Sequence, residues 1–137
     1  MAFNAAKCSV LRVTRKKTPY IHTYTMDEVA LQSVSDHPYL GVQLSSDMSW
    51  SAHINIITGK ATRSLNMLRR NLKKAPVTTR AEAYKAVVRP HLEFASSAWD
   101  PYLDKDINNL ERIQNRAARF VKQDYSWESS VTAMKAD

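Results

Sequence analysis

Four histidines (His22, His37, His53 and His91), one cysteine, Cys8, and thirteen acidic residues are the side chains with which this 137-residue chain could hold a metal or move protons. No histidine stands at metal-ligand spacing from another or from Cys8. A lone cysteine supports neither an internal disulfide nor a cysteine-based zinc site. With only Gly41 and Gly59, no Gly-rich phosphate loop can form. Ser96-Ser97 lacks the surroundings of a nucleophile elbow. Asp47, Asp100, Asp104 and Asp106 fall where helices should start, and capping accounts for them. His91 lies on an apolar stripe and reads as a hydrogen-bonded core histidine. Trp50, Trp99 and Trp127 read as core anchors ahead of base-stacking platforms. No catalytic residue, metal ligand or cofactor site is expected in this chain.

The remaining candidate chemistry is positive charge. Lysine and arginine number 20 against 13 acids, a net charge of +7. Such an excess favours polyanions, nucleic acid or an anionic membrane surface. Its distribution is more telling than its size. At about 100° per residue, Lys60, Arg63, Arg70 and Lys74 gather on one side of an expected helix. Lys105, Arg112, Arg116 and Arg119 do the same on a later one. Between Ile54 and Arg89 the only acid is Glu82. A solvated face normally mixes signs, because like charges one turn apart repel. Phosphates spaced along a duplex are the natural complement of a nearly pure basic face. The competing reading is a solvated face on a basic protein. A membrane-surface helix is disfavoured, because the apolar faces are needed for a core.

The elements that must position these cations follow from periodicity. A hydrophobic fraction of 44% places the chain among globular domains. The first part, 1–48, reads as short strands: Lys7 to Thr14, Tyr20 to Thr25, Val29 to Val34 and Tyr39 to Leu44. The second part, 49–137, reads as helix. Ser49 is a candidate N-cap for a helix with apolar residues at Trp50, Ile54, Ile57, Ala61, Leu65, Leu68 and Leu72. Pro76 ends it. Thr79 with Glu82 suggests a capping box for a second helix. Its stripe is Tyr84, Val87, Val88, His91, Ala95 and Ala98, with Pro90 expected to kink or split it. A third helix runs roughly Leu103 to Lys122, with Leu103, Ile107, Leu110, Gln114, Ala117 and Val121 aligned. A short terminal helix is expected within Ser126 to Met134. The fold class is α+β, short antiparallel strands packed beside a three-helix bundle. The opening MAFNAAKCSV has no apolar h-region, and no apolar run approaches a membrane span. An intracellular protein, nuclear or cytoplasmic, is the expectation.

Several segments together resemble a known family. FNAAKCSVLRVTRK, with Lys7 and Cys8, is similar to the end of the palm in LINE-type (non-LTR) retrotransposon reverse transcriptases. HPYLGVQLSSDMSWSAHI is similar to that family's next landmark, here Tyr39, Leu40, Gly41 and Val42 followed by Ser49, Trp50, His53 and Ile54. KATRSLNMLRRNL, AYKAVVRPHLEFASSAWDP and LERIQNRAARFV complete a pattern reaching to about Val131. The order and spacing, more than any one motif, carry the resemblance to the C-terminal palm edge and thumb of these jockey-like mobile-element RNA-directed DNA polymerases.

The resemblance implies that Tyr39 to Val42 form a primer-grip-like strand and that the helices form a thumb gripping template–primer duplex. It makes Lys60, Arg63, Arg70, Lys74, Arg112, Arg116 and Arg119 the expected nucleic-acid contacts, with an RNA–DNA hybrid or RNA duplex as partner. The family's catalytic aspartates lie in a palm strand with an aromatic-Ala-Asp-Asp sequence, and none occurs here. Two-metal phosphoryl transfer needs such carboxylates, so Mg²⁺ is expected only for the full-length parent. A truncated, degenerate or reused element is implied. Strand edges that would meet a missing palm suggest docking on a full-length element protein or self-association. An interaction module and an expressed relic are the alternatives.

Overall fold

The computed structural model describes residues 4–135. Strands occupy the N-terminal part and helices the C-terminal part, as the α+β reading expects. The chain divides into two compact units, one ending at His53 and one starting at Ile54.

Among the described residues the first unit holds six short strands in three pairs: β1 (Ser9–Leu11), β2 (Thr25–Met26), β3 (Val29–Ala30), β4 (Gln32–Val34), β5 (Asp36–Tyr39) and β6 (Val42–Ser45). β2–β3 and β5–β6 are antiparallel, whereas β1 pairs with β4 in parallel, Val10 opposite Ser33. Two expectations need correction. The Tyr20 to Thr25 segment is not a strand before Thr25. Its β-branched and aromatic residues fit a pleated surface, but among the described residues no strand pairs with them. Tyr20 and Ile21 are 84% and 77% exposed.

The second correction concerns Tyr39, Leu40, Gly41 and Val42, which form a hairpin corner instead of one strand. Leu40 and Gly41 both take left-handed backbone, φ 49° and 86°, between the paired Tyr39 and Val42. Two consecutive positive φ values give the turn whose twist matches that of the flanking strands, and glycine adopts its second position without strain. Pro38, opposite Gln43, sits in a hairpin strand that need not use its missing donor. The amide of Gln43 is taken by His53 Nδ1 at 3.2 Å, which leaves the ring proton on Nε2. Ser9 Oγ and His37 Nδ1 lie 3.0 Å apart across β1 and β5.

The second unit is helical. α1 runs Ser51–Asn71, its first three residues belonging to the preceding unit; α2 is Val77–Ala83, α3 Arg89–Glu93, α4 Asp104–Lys122 and α5 Val131–Lys135. The α1 stripe is as periodicity predicts: Ile54, Ile57, Ala61, Leu65 and Leu68 are buried. Ala61, Leu65 and Leu68 pack with Val88, Leu92, Ile113, Ala117 and Phe120 in one core. Between α2 and α3 a π-helical turn spans Tyr84–Val88, with the Arg89 amide bonded to the Tyr84 carbonyl five residues back. Pro90 follows one residue later, after Arg89, so the expected split takes this form. The wider turn accommodates a ring that would otherwise meet the carbonyl of Ala86.

Four finer expectations are displaced. α1 starts at Ser51, two residues after Ser49. α2 starts straight after Pro76 with no side-chain cap, so Thr79 lies inside it and Glu82 pairs with Lys85 at 3.4 Å. α3 ends at Glu93, and Ala95, with φ 53°, lies beyond it, so Ala95 and Ala98 leave the stripe. On α4 the buried line is Asp106, Ile113, Ala117 and Phe120, while Ile107 and Gln114 are exposed. The helix is rotated by roughly 60° from the expected stripe at 3.6 residues per turn. The bulky Phe120 decides that rotation, since an aromatic ring buries far more apolar area than Val121. Trp99 is buried with its indole N–H on the Phe94 carbonyl at 2.9 Å; Trp50 is half-buried. Trp127, 88% exposed, is no core anchor. His91 is half-buried, its Nε2 3.2 Å from Ser64 Oγ.

Candidate nucleic-acid interface

The long stripe of α1 turns its opposite side outward, and Arg63 and Arg70 project there, both exposed. Lys74 is not on α1, which ends at Asn71. The turn after the helix nevertheless keeps Lys73 and Lys74 beside Arg70. Together with Arg63 and Arg69 they line an open groove of about 1050 Å³. Its far wall is the end of α4: Phe120, Gln123 and Tyr125. Among the described residues no acidic side chain lines it.

The far wall is fixed by polar contacts. Gln123 ends α4 in left-handed backbone, φ 53°, and its Nε2 donates to the Lys73 carbonyl. Tyr125 lies with its ring 5.6 Å from the Arg69 guanidinium carbon, a cation–π distance. The Asp124 carboxyl is held below its usual pKa, first by a hydrogen bond from the Ser129 side chain, then by the amide and hydroxyl of Ser126. Arg119 Nη1 donates to the Ser126 carbonyl at 2.7 Å.

The second set of expected cations adjoins the first. Arg116 Nη2 donates to Asn66 Oδ1 at 3.1 Å, and Asn66 also lines the basic groove. Arg112 and Arg116 form one wall of a crevice of about 350 Å³ between α1 and α4. Arg112, Arg116 and Arg119 share a further depression of about 460 Å³ with Glu111. Glu111 is itself paired with Lys135 Nζ at 2.6 Å. Arg63, Arg70, Lys74, Arg112 and Arg116 thus border one α1–α4 seam. Arg119 stands at its edge, tied to the loop after α4. Lys60 is exposed but lines none of these grooves. The Tyr39–Val42 corner belongs to the first unit, with Val42 buried and Tyr39 and Leu40 exposed.

Residues missed in the sequence are Asn66, Arg69, Lys73, Gln123 and Tyr125. Asn66, Arg70 and Lys73 follow Arg63 at three- and four-residue steps, so the helical period could have found them. Gln123 and Tyr125 lie past α4, where no period operates. Among the described residues no group of three or more histidine, cysteine or acidic side chains could hold a metal ion. No described helix is long and apolar enough to cross a membrane.

No protein-family model and no solved structure matches this chain. It is similar to the probable RNA-directed DNA polymerase from transposon X-element of Drosophila melanogaster, 23% identical over 124 residues. The match covers 88% of this chain and 14% of that protein, so the chain spans a small part of its relative. The likeness supports a relation to retrotransposon reverse transcriptases.

Proposed function

We propose that this chain is a fragment of a non-LTR retrotransposon reverse transcriptase whose helical unit binds the backbone of a template–primer duplex, RNA–DNA or RNA, through charge and shape. It has no polymerase site of its own. The observation that carries this reading is the groove in which Arg63, Arg69, Arg70, Lys73 and Lys74 converge with no acid among the described lining residues. Five cations on one concave surface repel one another unless a polyanion neutralises them. Arg112 and Arg116 extend the positive track along the same seam. Guanidinium and ammonium groups pair with phosphate oxygens at any sequence, so the expected readout is position on the backbone, not base identity.

A salt series tests it. Affinity of the purified chain for a fluorescent RNA–DNA hybrid should fall linearly in log–log form, by about 0.9 per phosphate neutralised on B-DNA and similarly on a hybrid. Absence of salt-sensitive binding would leave a protein-interaction module, or a relic, as the better reading.

A further inference from the structure

The interior of α1 contains a glycine, Gly59, at a position where glycine costs about 1 kcal/mol relative to alanine. Nothing around it requires that cost. Its backbone is not among those with positive φ. A Cβ placed on it would meet only Arg63 Nη1, at 3.8 Å. The glycine therefore makes no room for another part of the helical unit. It leaves a bare stretch of backbone on the crevice between α1 and α4.

The walls of that crevice differ from the phosphate-binding groove beside it. Asn55, Thr58 and Thr62 come from α1, and Asn109, Arg112 and Arg116 from α4. Neutral amides and hydroxyls predominate, with guanidinium groups on one side. Thr58 Oγ1 donates to the Ile54 carbonyl at 2.6 Å, so its proton is committed to the helix and toward the crevice its oxygen can only accept. A ribose 2′-hydroxyl can donate to such an acceptor; a deoxyribose carbon cannot. The carboxamides of Asn55 and Asn109 make no hydrogen bond to other described residues, although the Asn55 backbone carbonyl accepts from Thr58 Oγ1 at 3.3 Å, and each carboxamide offers two donors and an acceptor.

We infer that this crevice seats ribose: it accepts the 2′-hydroxyl edge of an A-form minor groove and so favours RNA-containing duplexes over DNA. The A-form minor groove is wide and shallow and displays its 2′-hydroxyls outward. A sugar edge can approach α1 closely only where no Cβ intervenes, which is what Gly59 provides. Arg112 and Arg116 would hold the flanking phosphates. The inference rests on the duplex-binding reading above and adds a sugar preference that charge alone does not give.

The test uses the full chain with RNA–RNA, RNA–DNA and DNA–DNA duplexes of one sequence, titrated by fluorescence anisotropy. The wild type should bind the two RNA-containing duplexes about tenfold more tightly than DNA, the effect of one or two net hydrogen bonds. Gly59→Leu should block the seat, and the double variant Asn55→Ala with Asn109→Ala should strip it. Each should bring RNA-duplex affinity down to the DNA value while leaving DNA affinity and salt slope unchanged. Gly59→Ala should raise the thermal midpoint; a lowered midpoint would make Gly59 a packing residue and overturn the assignment. Equal wild-type affinity for the three duplexes would also overturn it, as would a preference surviving both variants or a uniform fall across all duplexes. In those cases salt-sensitive binding would persist and the proposed function would stand. Loss of all salt-sensitive binding in the wild type would remove both.

Discussion

The guanidinium of Arg80 donates twice to the Val121 carbonyl, from Nε at 2.9 Å and Nη2 at 2.6 Å, and once to the Ala75 carbonyl, from Nη1 at 2.6 Å. Only 4% exposed, it joins α2 to the last turn of α4 and to the turn that follows α1. Carbonyls in the last turn of a helix lack an intrahelical partner, and a cation there meets the negative end of the helix dipole. Hydrogen bonds from charged donors contribute about 1.5–3 kcal/mol each where the partner would otherwise be unmet. Arg80→Met should therefore destabilise the fold by about 3 kcal/mol. Arg80→Lys should recover little, because an ammonium cannot reproduce the fork. Urea midpoints of the three proteins decide this; a Met variant within about 0.5 kcal/mol of wild type, the ordinary range of a surface change, would refute it.

The basic groove yields a binding prediction. Replacing Arg63, Arg70 and Lys74 together by Gln should weaken binding to all duplex sequences alike and flatten the salt slope by roughly two to three units. Adding Arg69→Gln and Lys73→Gln should flatten it further. All five side chains are exposed, so stability should stay within about 0.5 kcal/mol. A triple variant that matches wild type across the salt series would reduce the groove to a solvated surface.

The purified chain should not extend a primer. No aromatic-Ala-Asp-Asp sequence is present, and two-metal phosphoryl transfer needs carboxylates that hold both ions. Primer-extension assays with Mg²⁺ or Mn²⁺ should show no template-dependent incorporation; incorporation by pure protein would contradict the proposal.

Every described strand of the first unit belongs to a two-stranded sheet and keeps one edge with no strand paired to it among the described residues. Such edges template association. Light scattering should show concentration-dependent dimers or larger species. Lysine placed at Val29, an exposed edge position, should reduce them. A clean monomer at high concentration would count against this.

The turn after α4 should respond to acid. A depressed pKa in the folded state means that Asp124 stabilises its turn fully above the ordinary carboxylate value of about 3.9 and loses that contribution as pH falls through the folded value. Tyr125, next in the chain, stands over Arg69. Acid titration followed by NMR should therefore shift the Tyr125 ring resonances at low pH. Asp124→Asn should remove that acid-dependent transition. Ring shifts that are indifferent to pH in wild type would show that the carboxylate does not hold the turn.

How much could be read beforehand differs from element to element. The α1 stripe from Ile54 to Leu68 was legible because a long amphipathic period sums many weak preferences. The rotation of α4 was not, since Leu110, Ile113, Ala117, Phe120 and Val121 allow neighbouring stripes and only packing chooses. Tyr20 to Tyr24 had strand composition without a partner, which a local reading cannot detect. The Leu40-Gly41 corner reads as strand in the sequence because leucine rarely accepts positive φ. Of the interface, the cations on α1 were visible as spacing. The meeting of Arg116 with Asn66 was not, as it requires the relative rotation of two helices. Arg80 gave no signal: a buried arginine is recognised by carbonyls remote in sequence.

The π-turn at Tyr84–Val88 and Pro90 also constrain how this segment can change over generations. Deleting one residue from the turn would restore ordinary helical register and drive the proline ring against a carbonyl one turn back. Replacing Pro90 alone would leave the wide turn in place but unneeded, a tolerable intermediate. The two features can therefore be lost in only one order, proline first. A lineage that has kept the proline is held to the inserted residue as well.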